Sequence, residues 1–297
     1  MRQVKSIALI LFFSLAIYAC KKDVPDNNNP TPTPTAPTDN DPLLPGNPSN
    51  AVTTSSATTN YLKDNGYYKL SYNSTKGLSN WVAWHLQSDD LGSTPRQDNF
   101  RPDTGFPSAW YMATSTSFSG SGFDRGHNCP SADRTSSIAA NSSTFLMTNM
   151  VPQAPNLNQG PWGALEDYIR TTLVGSGNEA YIAMGSYGND GGYGSNGAAT
   201  YIDNQRIRVP SKIWKVVLII SKGNGDLARI NGNATVLCVS MPNDNRLFST
   251  GGTSAWRNYL MPVSTLEIES NASGVPLNLF QNVNTTDRTT LKGKIYQ

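Results

Sequence analysis

The chain has 297 residues, 37% of them hydrophobic and only 15% charged, with a formal net charge of +2 and just two histidines. That length and apolar content can build one large domain or two modest ones. So small a net charge excludes a nucleic-acid binder that works by global attraction, so any affinity for a polyanion must come from locally clustered arginines.

The first residues, Met1 to Lys5, carry Arg2 and Lys5 ahead of an apolar run that ends Ala16-Ile17-Tyr18-Ala19-Cys20. A short basic region, an apolar stretch too short to span a bilayer comfortably and a small residue before a cysteine predict a signal peptide over 1–19. Its end resembles a bacterial lipobox, although Tyr18 is bulkier than that pattern carries. Cleavage before Cys20 would leave a lipidated cysteine and no transmembrane helix. Residues 20–55 are rich in Pro, Thr and Asn and predict an extended, disordered tether. A folded domain is expected over 56–297. This layout implies an exported protein, lipid-anchored to a bacterial outer membrane on its periplasmic or cell-surface face.

Strands are predicted over Tyr67–Tyr72 and Trp81–Leu86, with a turn at Asn73–Gly77. His85 alternates with Trp81 and Ala83 on one strand face and reads as structural rather than chemical. Arg96 and Arg101 lie on a Pro-rich loop that could be solvated surface or a phosphate clamp. Ser136–Ser143 offers a short helix, and Thr144–Val151 a buried strand. Over Gln159–Leu173, Trp162, Leu165, Ile169 and Leu173 fall on one helical stripe, Pro161 suits the first turn and Gly175 the end. Glu166 and Arg170 share another face at i, i+4 and read as a surface ion pair. Ala180–Met184, Arg206–Val209, Trp214–Ile220 and Ala234–Met241 add strands around a glycine-rich loop at 185–199, and a closing helix is expected over Trp256–Glu269. Strands outnumber irregularly placed helices, so the class is α+β, a mainly antiparallel central sheet flanked by helices. Cys129 and Cys238 could pair or remain free.

The densest chemistry lies at Gly122-Phe123-Asp124-Arg125-Gly126-His127-Asn128. No serine or cysteine there has the setting of an activated nucleophile, since Cys129 lacks an orienting partner for the histidine. Hydrolysis of a phosphodiester instead needs a base for water, positive charge on the phosphate and help for the departing alkoxide. His127 can be the base and an arginine the clamp, while a hydrated Mg²⁺ needs only one or two protein oxygens. Asn158 and Glu166 are candidates for those oxygens. On a straight helix they would stand about 12 Å apart, so Asn158 is expected to ligate directly and Glu166 to reach back and hold a water of the cation.

Asp124-Arg125-Gly126-His127, with Asn149, Pro152-Gln153, Asn158, Trp162, Leu165-Glu166-Asp167 and Arg170 in that order, resembles the sugar-non-specific DNA/RNA endonucleases of the ββα-metal type. The resemblance runs from about Tyr61 to Glu267, and the segment from Ser270 to Gln297 fits it least. It implies metal-dependent cleavage of DNA and RNA to 5′-phosphate products, through contacts to the phosphate backbone, with Mg²⁺ as cofactor and Mn²⁺ suited to the same oxygens. By resemblance the base falls on His127, the metal-ligand asparagine on Asn158 and the water-holding glutamate on Glu166. The transition-state arginine falls on Arg96, with Arg101 close enough to keep the choice open. Arg125, Arg170 and Asn149 match positions at the substrate. The rival reading is a non-catalytic surface lipoprotein that binds extracellular nucleic acid, for which the arginines alone would suffice.

Overall fold

The computed structural model describes residues 38–250 and 254–297. From the amino-terminal side come β1 (Tyr61–Asp64), β2 (Lys69–Asn73) and β3 (Leu78–Leu86), then β4 (Asp124–His127), helix α1 (Ile138–Ser143) and β5 (Met150–Gln153). A helical run follows from α2 (Pro155–Leu157) through α3 (Gly163–Tyr168) to Val174, with π-type turns at Asn158–Trp162 and Ile169–Val174. The long β6 (Asn178–Tyr187) leads into two small hairpins, β7 (Gly192–Gly194) with β8 (Gly197–Ala199) and β9 (Tyr201–Ile202) with β10 (Ile207–Arg208). The chain then forms β11 (Lys212–Ser221), α4 (Asp226–Arg229), β12 (Thr235–Pro242), α5 (Val263–Ala272) and α6 (Thr285–Gly293).

Six strands form the central sheet in the order β1-β2-β3-β6-β11-β12, and every pairing in it is antiparallel. Both faces are covered, so its strands read as unbroken apolar runs instead of alternating ones. One face presents Val82, Trp84, Ile182, Met184, Ile213, Val217, Leu237 and Val239 to the helical run, whose stripe of Trp162, Leu165, Ile169 and Leu173 is buried as expected. The other presents Trp81, Ala83, Tyr181, Trp214, Val216, Leu218 and Cys238 to α5, α6 and both ends of the described chain. Cys129 and Cys238 thus pack in different cores, and both are free, buried thiols.

Two expectations change. The tether predicted to reach residue 55 does not hold over 41–51, where Leu43, Leu44 and Ala51 insert into the second core, Lys69 pairs with Asp41 at 2.8 Å and Trp81 donates to Ser49 at 2.8 Å. Proline-rich composition hides this, because prolines fit the turns between three apolar anchors as well as they fit a linker. The earlier part of the tether, Cys20 and the signal peptide lie outside the described residues. Second, Met147–Asn149 is a 3-10 turn and the strand begins only at Met150, since Asn149 spends its amide on neighbouring backbone. The carboxyl-terminal segment, within the folded domain expected over 56–297, is part of the core, with Val275, Leu277, Leu279, Phe280, Val283 and Leu291 buried. No helix among the described residues is long and apolar enough to cross a membrane.

Candidate active site

β4 and β5 form a separate two-stranded antiparallel ribbon, with Arg125 opposite Pro152, Gly126 opposite Val151 and His127 opposite Met150. Gly126 answers to a close approach: a Cβ there would lie 2.7 Å from the Cβ of Gln153. The ribbon holds His127 against two aromatic rings, Phe145 edge-on at 5.1 Å and Phe100 at 5.8 Å between ring centroids. Its Nε2 is buried and has no hydrogen-bond partner among the described residues. Burial pushes the imidazole down to about 3, and the positive charges of Arg96 and Arg125 act in the same direction. The ring is therefore unprotonated at neutral pH, the state from which a base accepts a proton.

A cavity of about 210 Å³ is lined by His127, Arg96, Arg125, Ser131, Asn158 and Glu166. A second, of about 390 Å³, shares Arg96, Arg125 and Asn158 with it and opens onto Phe118, Phe123 and Asp124. Five of the residues singled out in the sequence, His127, Arg96, Arg125, Asn158 and Glu166, line these cavities together. Arg96 is held by Asp98 at 2.6 Å through Nε and by Ser131 at 2.7 Å through Nη1, and neither bond uses Nη2. Its guanidinium also lies 4.8 Å from the Phe145 ring. Arg125 stacks on Phe100 at 3.8 Å. Arg101 instead donates to the backbone oxygens of Asn99 and Ser142 and lines neither cavity.

Asn158 and Glu166, eight residues apart, line the same cavity, and the helical run between them is kinked. Gly160 has φ −107° and ψ −111° inside the helical run, and a Cβ there would meet the carbonyl oxygen of Ser249 at 2.5 Å. The segment ending at Ser249 therefore packs against a bend that only glycine leaves open. The Nδ2 of Asn158 donates to Oδ2 of Asp124 at 2.9 Å, and Gln159 donates to the same oxygen at 2.8 Å. A carboxylate only accepts, so this bond fixes which end of the amide is nitrogen and leaves Oδ1 for the cavity. One amide oxygen and one carboxylate at a single cavity fit a hard, hydrated divalent cation.

Two expected substrate residues stand apart. Arg170 donates to Asp133 at 2.8 Å and to Asp167, so it does not pair with Glu166, and it lines neither cavity. Asn149 is fully buried, donating to the carbonyls of Cys129 and Thr144 and accepting from the Cys129 amide, which anchors the chain just after His127. The partner of Glu166 is Lys215, at 3.0 Å. Burial pushes the Glu166 carboxyl up, and Lys215 pulls it back. Sequence reasoning missed Lys215 and the aiming role of Asp124. A lone lysine inside Ile213-Trp214-Lys215-Val216-Val217-Leu218 was the available signal for the first.

Elsewhere, His85, Glu179 and Asp226 bring ligand atoms within 4.8 Å of one another, a spacing that could hold a metal ion. Arg229 donates to both carboxylates there, at 2.5 and 2.6 Å.

Residues 45–286 match the profile of the DNA/RNA non-specific endonucleases. The chain belongs to that family. It is 42% identical over 253 residues to a nuclease of Nostoc sp., covering 85% of each chain, and 29% identical over 220 residues to human mitochondrial endonuclease G, covering 72% of this chain and 69% of that one. Its fold is that of endonuclease G in a complex with an inhibitor, with a TM-score of 0.64 at 20% identity over 85% of this chain and 95% of that one. The protein is thus a non-specific endonuclease acting on DNA and RNA, and its family depends on a divalent metal.

Proposed function

We propose that this endonuclease hydrolyses backbone phosphodiesters with His127 as the general base, Arg96 as the clamp on the phosphate and Asn158 as the direct ligand of a Mg²⁺ ion, leaving 5′-phosphate products. The observation that carries this reading is the single cavity that His127 shares with Arg96, Asn158 and Glu166. His127 takes the proton of a water aligned with the phosphate. Arg96, pinned by Asp98 and Ser131, lays its remaining donor on the equatorial oxygens, where negative charge grows. Arg125 holds a neighbouring phosphate from its stack on Phe100. Asn158 and Glu166 would hold the cation, which supplies charge neutralisation and assists departure of the 3′ oxygen. Contacts of this kind go to phosphates and not to base edges, which accounts for indifference to sequence and sugar.

The test is digestion of supercoiled plasmid and of RNA across a metal series, wild type beside His127→Ala. Cleavage of both substrates with Mg²⁺, slower cleavage by the variant and none in EDTA are expected. Equal rates for wild type and variant would remove His127 as the base.

The leader and cysteine at residues 1–20 support a further part of the proposal, that the enzyme is exported and anchored through lipid on Cys20 to a bacterial outer membrane. Fatty-acid labelling that persists in Cys20→Ser would refute it.

A further inference from the structure

Strand β11 crosses the middle of the sheet, with Ile213, Val217 and Ile219 on the face that meets the helical run. Lys215 occupies the same face between them, 1% exposed. Its Nζ lies 4.8 Å from the centre of the Trp162 ring and 5.5 Å from that of Trp84. Among the described residues its one hydrogen-bond partner is Oε1 of Glu166, at 3.0 Å. A buried ammonium is costly to desolvate, and an apolar side chain in this register would avoid the cost. The other acid beneath the cavity, Asp133, already has its own donors, Arg170 at 2.8 Å and Trp84 at 2.9 Å. Lys215 is thus dedicated to one oxygen of one carboxylate, and that carboxylate lines the cavity of His127.

We infer that Lys215 is a positioning residue for the reaction: from beneath the cavity it pins Oε1 of Glu166, so that Oε2 stands ready beside Asn158. This rests on the reading that Glu166 works at the cation. It also explains the route by which the active site, built otherwise from residues 96 to 166, is tied to the rigid centre of the sheet. Groups that orient a metal's surroundings typically matter by about ten- to a hundredfold in affinity or rate.

The decisive measurement is a cycle of Lys215→Met, Glu166→Gln and their combination. Plasmid cleavage is read against metal concentration, and Mn²⁺ binding is measured by calorimetry in full-length protein made inactive by His127→Ala. Lys215→Met is expected to weaken Mn²⁺ binding by about tenfold and to lower kcat by about ten- to a hundredfold, with KM for DNA within about twofold. In the Glu166→Gln background the same change is expected to move neither quantity more than about twofold, because the partner is already gone. Equal metal affinity and kcat for wild type and Lys215→Met, or an undiminished loss in the Glu166→Gln background, overturns the inference. Should Lys215→Met lose its cooperative unfolding transition, Lys215→Leu carries the same cycle, removing the donor and keeping this face apolar. Failure of the wild type to cleave with any metal would sink the underlying reading, whereas wild-type cleavage with an unaffected Lys215→Met sinks only this one.

Discussion

The two histidines of the chain lie in opposite kinds of surroundings. His85 is 4% exposed, and its Nε2 lies 3.2 Å from Glu179, in a cluster closed by Asp226, Tyr181 and Arg229. His127 keeps its Nε2 unpartnered at a cavity lined by two arginines, an amide and a carboxylate. Both are held unprotonated by burial, His85 at about 4 and His127 at about 3. The depressed basicity is common to them and so does not mark the active site. What marks it is a cavity that the His127 ring shares with two arginines, an amide and a carboxylate, side chains suited to an anion and its cation. The cluster with the more metal-like inventory, His85 with two acids, is the one whose carboxylates already share a cation, Arg229.

The two histidines should differ most in what their removal does. His127→Ala is expected to cost at least about a hundredfold in kcat, and His85→Leu to leave kcat within about threefold, both read on supercoiled plasmid. A comparable loss at His85 would erase the distinction. Asp124→Ala comes next, since it frees the Asn158 amide to rotate. The expected effect is about a tenfold or larger rise in the metal concentration for half-maximal rate, with thermal unfolding little changed. His85→Leu should instead appear in stability, at about 1–3 kcal/mol, because Glu179 loses a partner it cannot replace with water. Chemical denaturation measures it.

The smallest effect is a matter of sign. Each histidine binds a proton less readily folded than unfolded, where its ordinary value is 6.5. The unfolded chain therefore takes up more protons between about pH 6.5 and 4, and stability falls as pH drops through that window. Imidazole resonances followed by NMR should show neither histidine titrating between pH 8 and 5. A midpoint near 6.5 for His127, the more exposed of the two, would mean that its ring is solvated.

Much of this molecule was legible in its residues. The apolar runs at Trp81–Leu86, Trp214–Ile220 and Ala234–Met241 are strands because β-rich apolar segments of that length have few other places to go, and the Trp162-Leu165-Ile169-Leu173 stripe lies on the core because its period is that of a helix. His127, Asn158 and Glu166 could be named because their types match the needs of phosphodiester hydrolysis, and Arg96 and Arg125 because their places resemble those of the family's arginines. The sequence could not show that Asn158 and Glu166 share one cavity, since the helical run between them is bent at Gly160, against Ser249 from far along the chain. Nor could it separate Arg96 from Arg101, or take Arg170 away from Glu166, because hydrogen bonds to Ser131, Ser142 and Asp133 decide those matters. Local pattern reports which side chains a segment must bury and which chemistry it carries. Which of two equivalent charges is spent and which stays free is settled by partners distant in the chain, and these exist only once the sheet has brought them together.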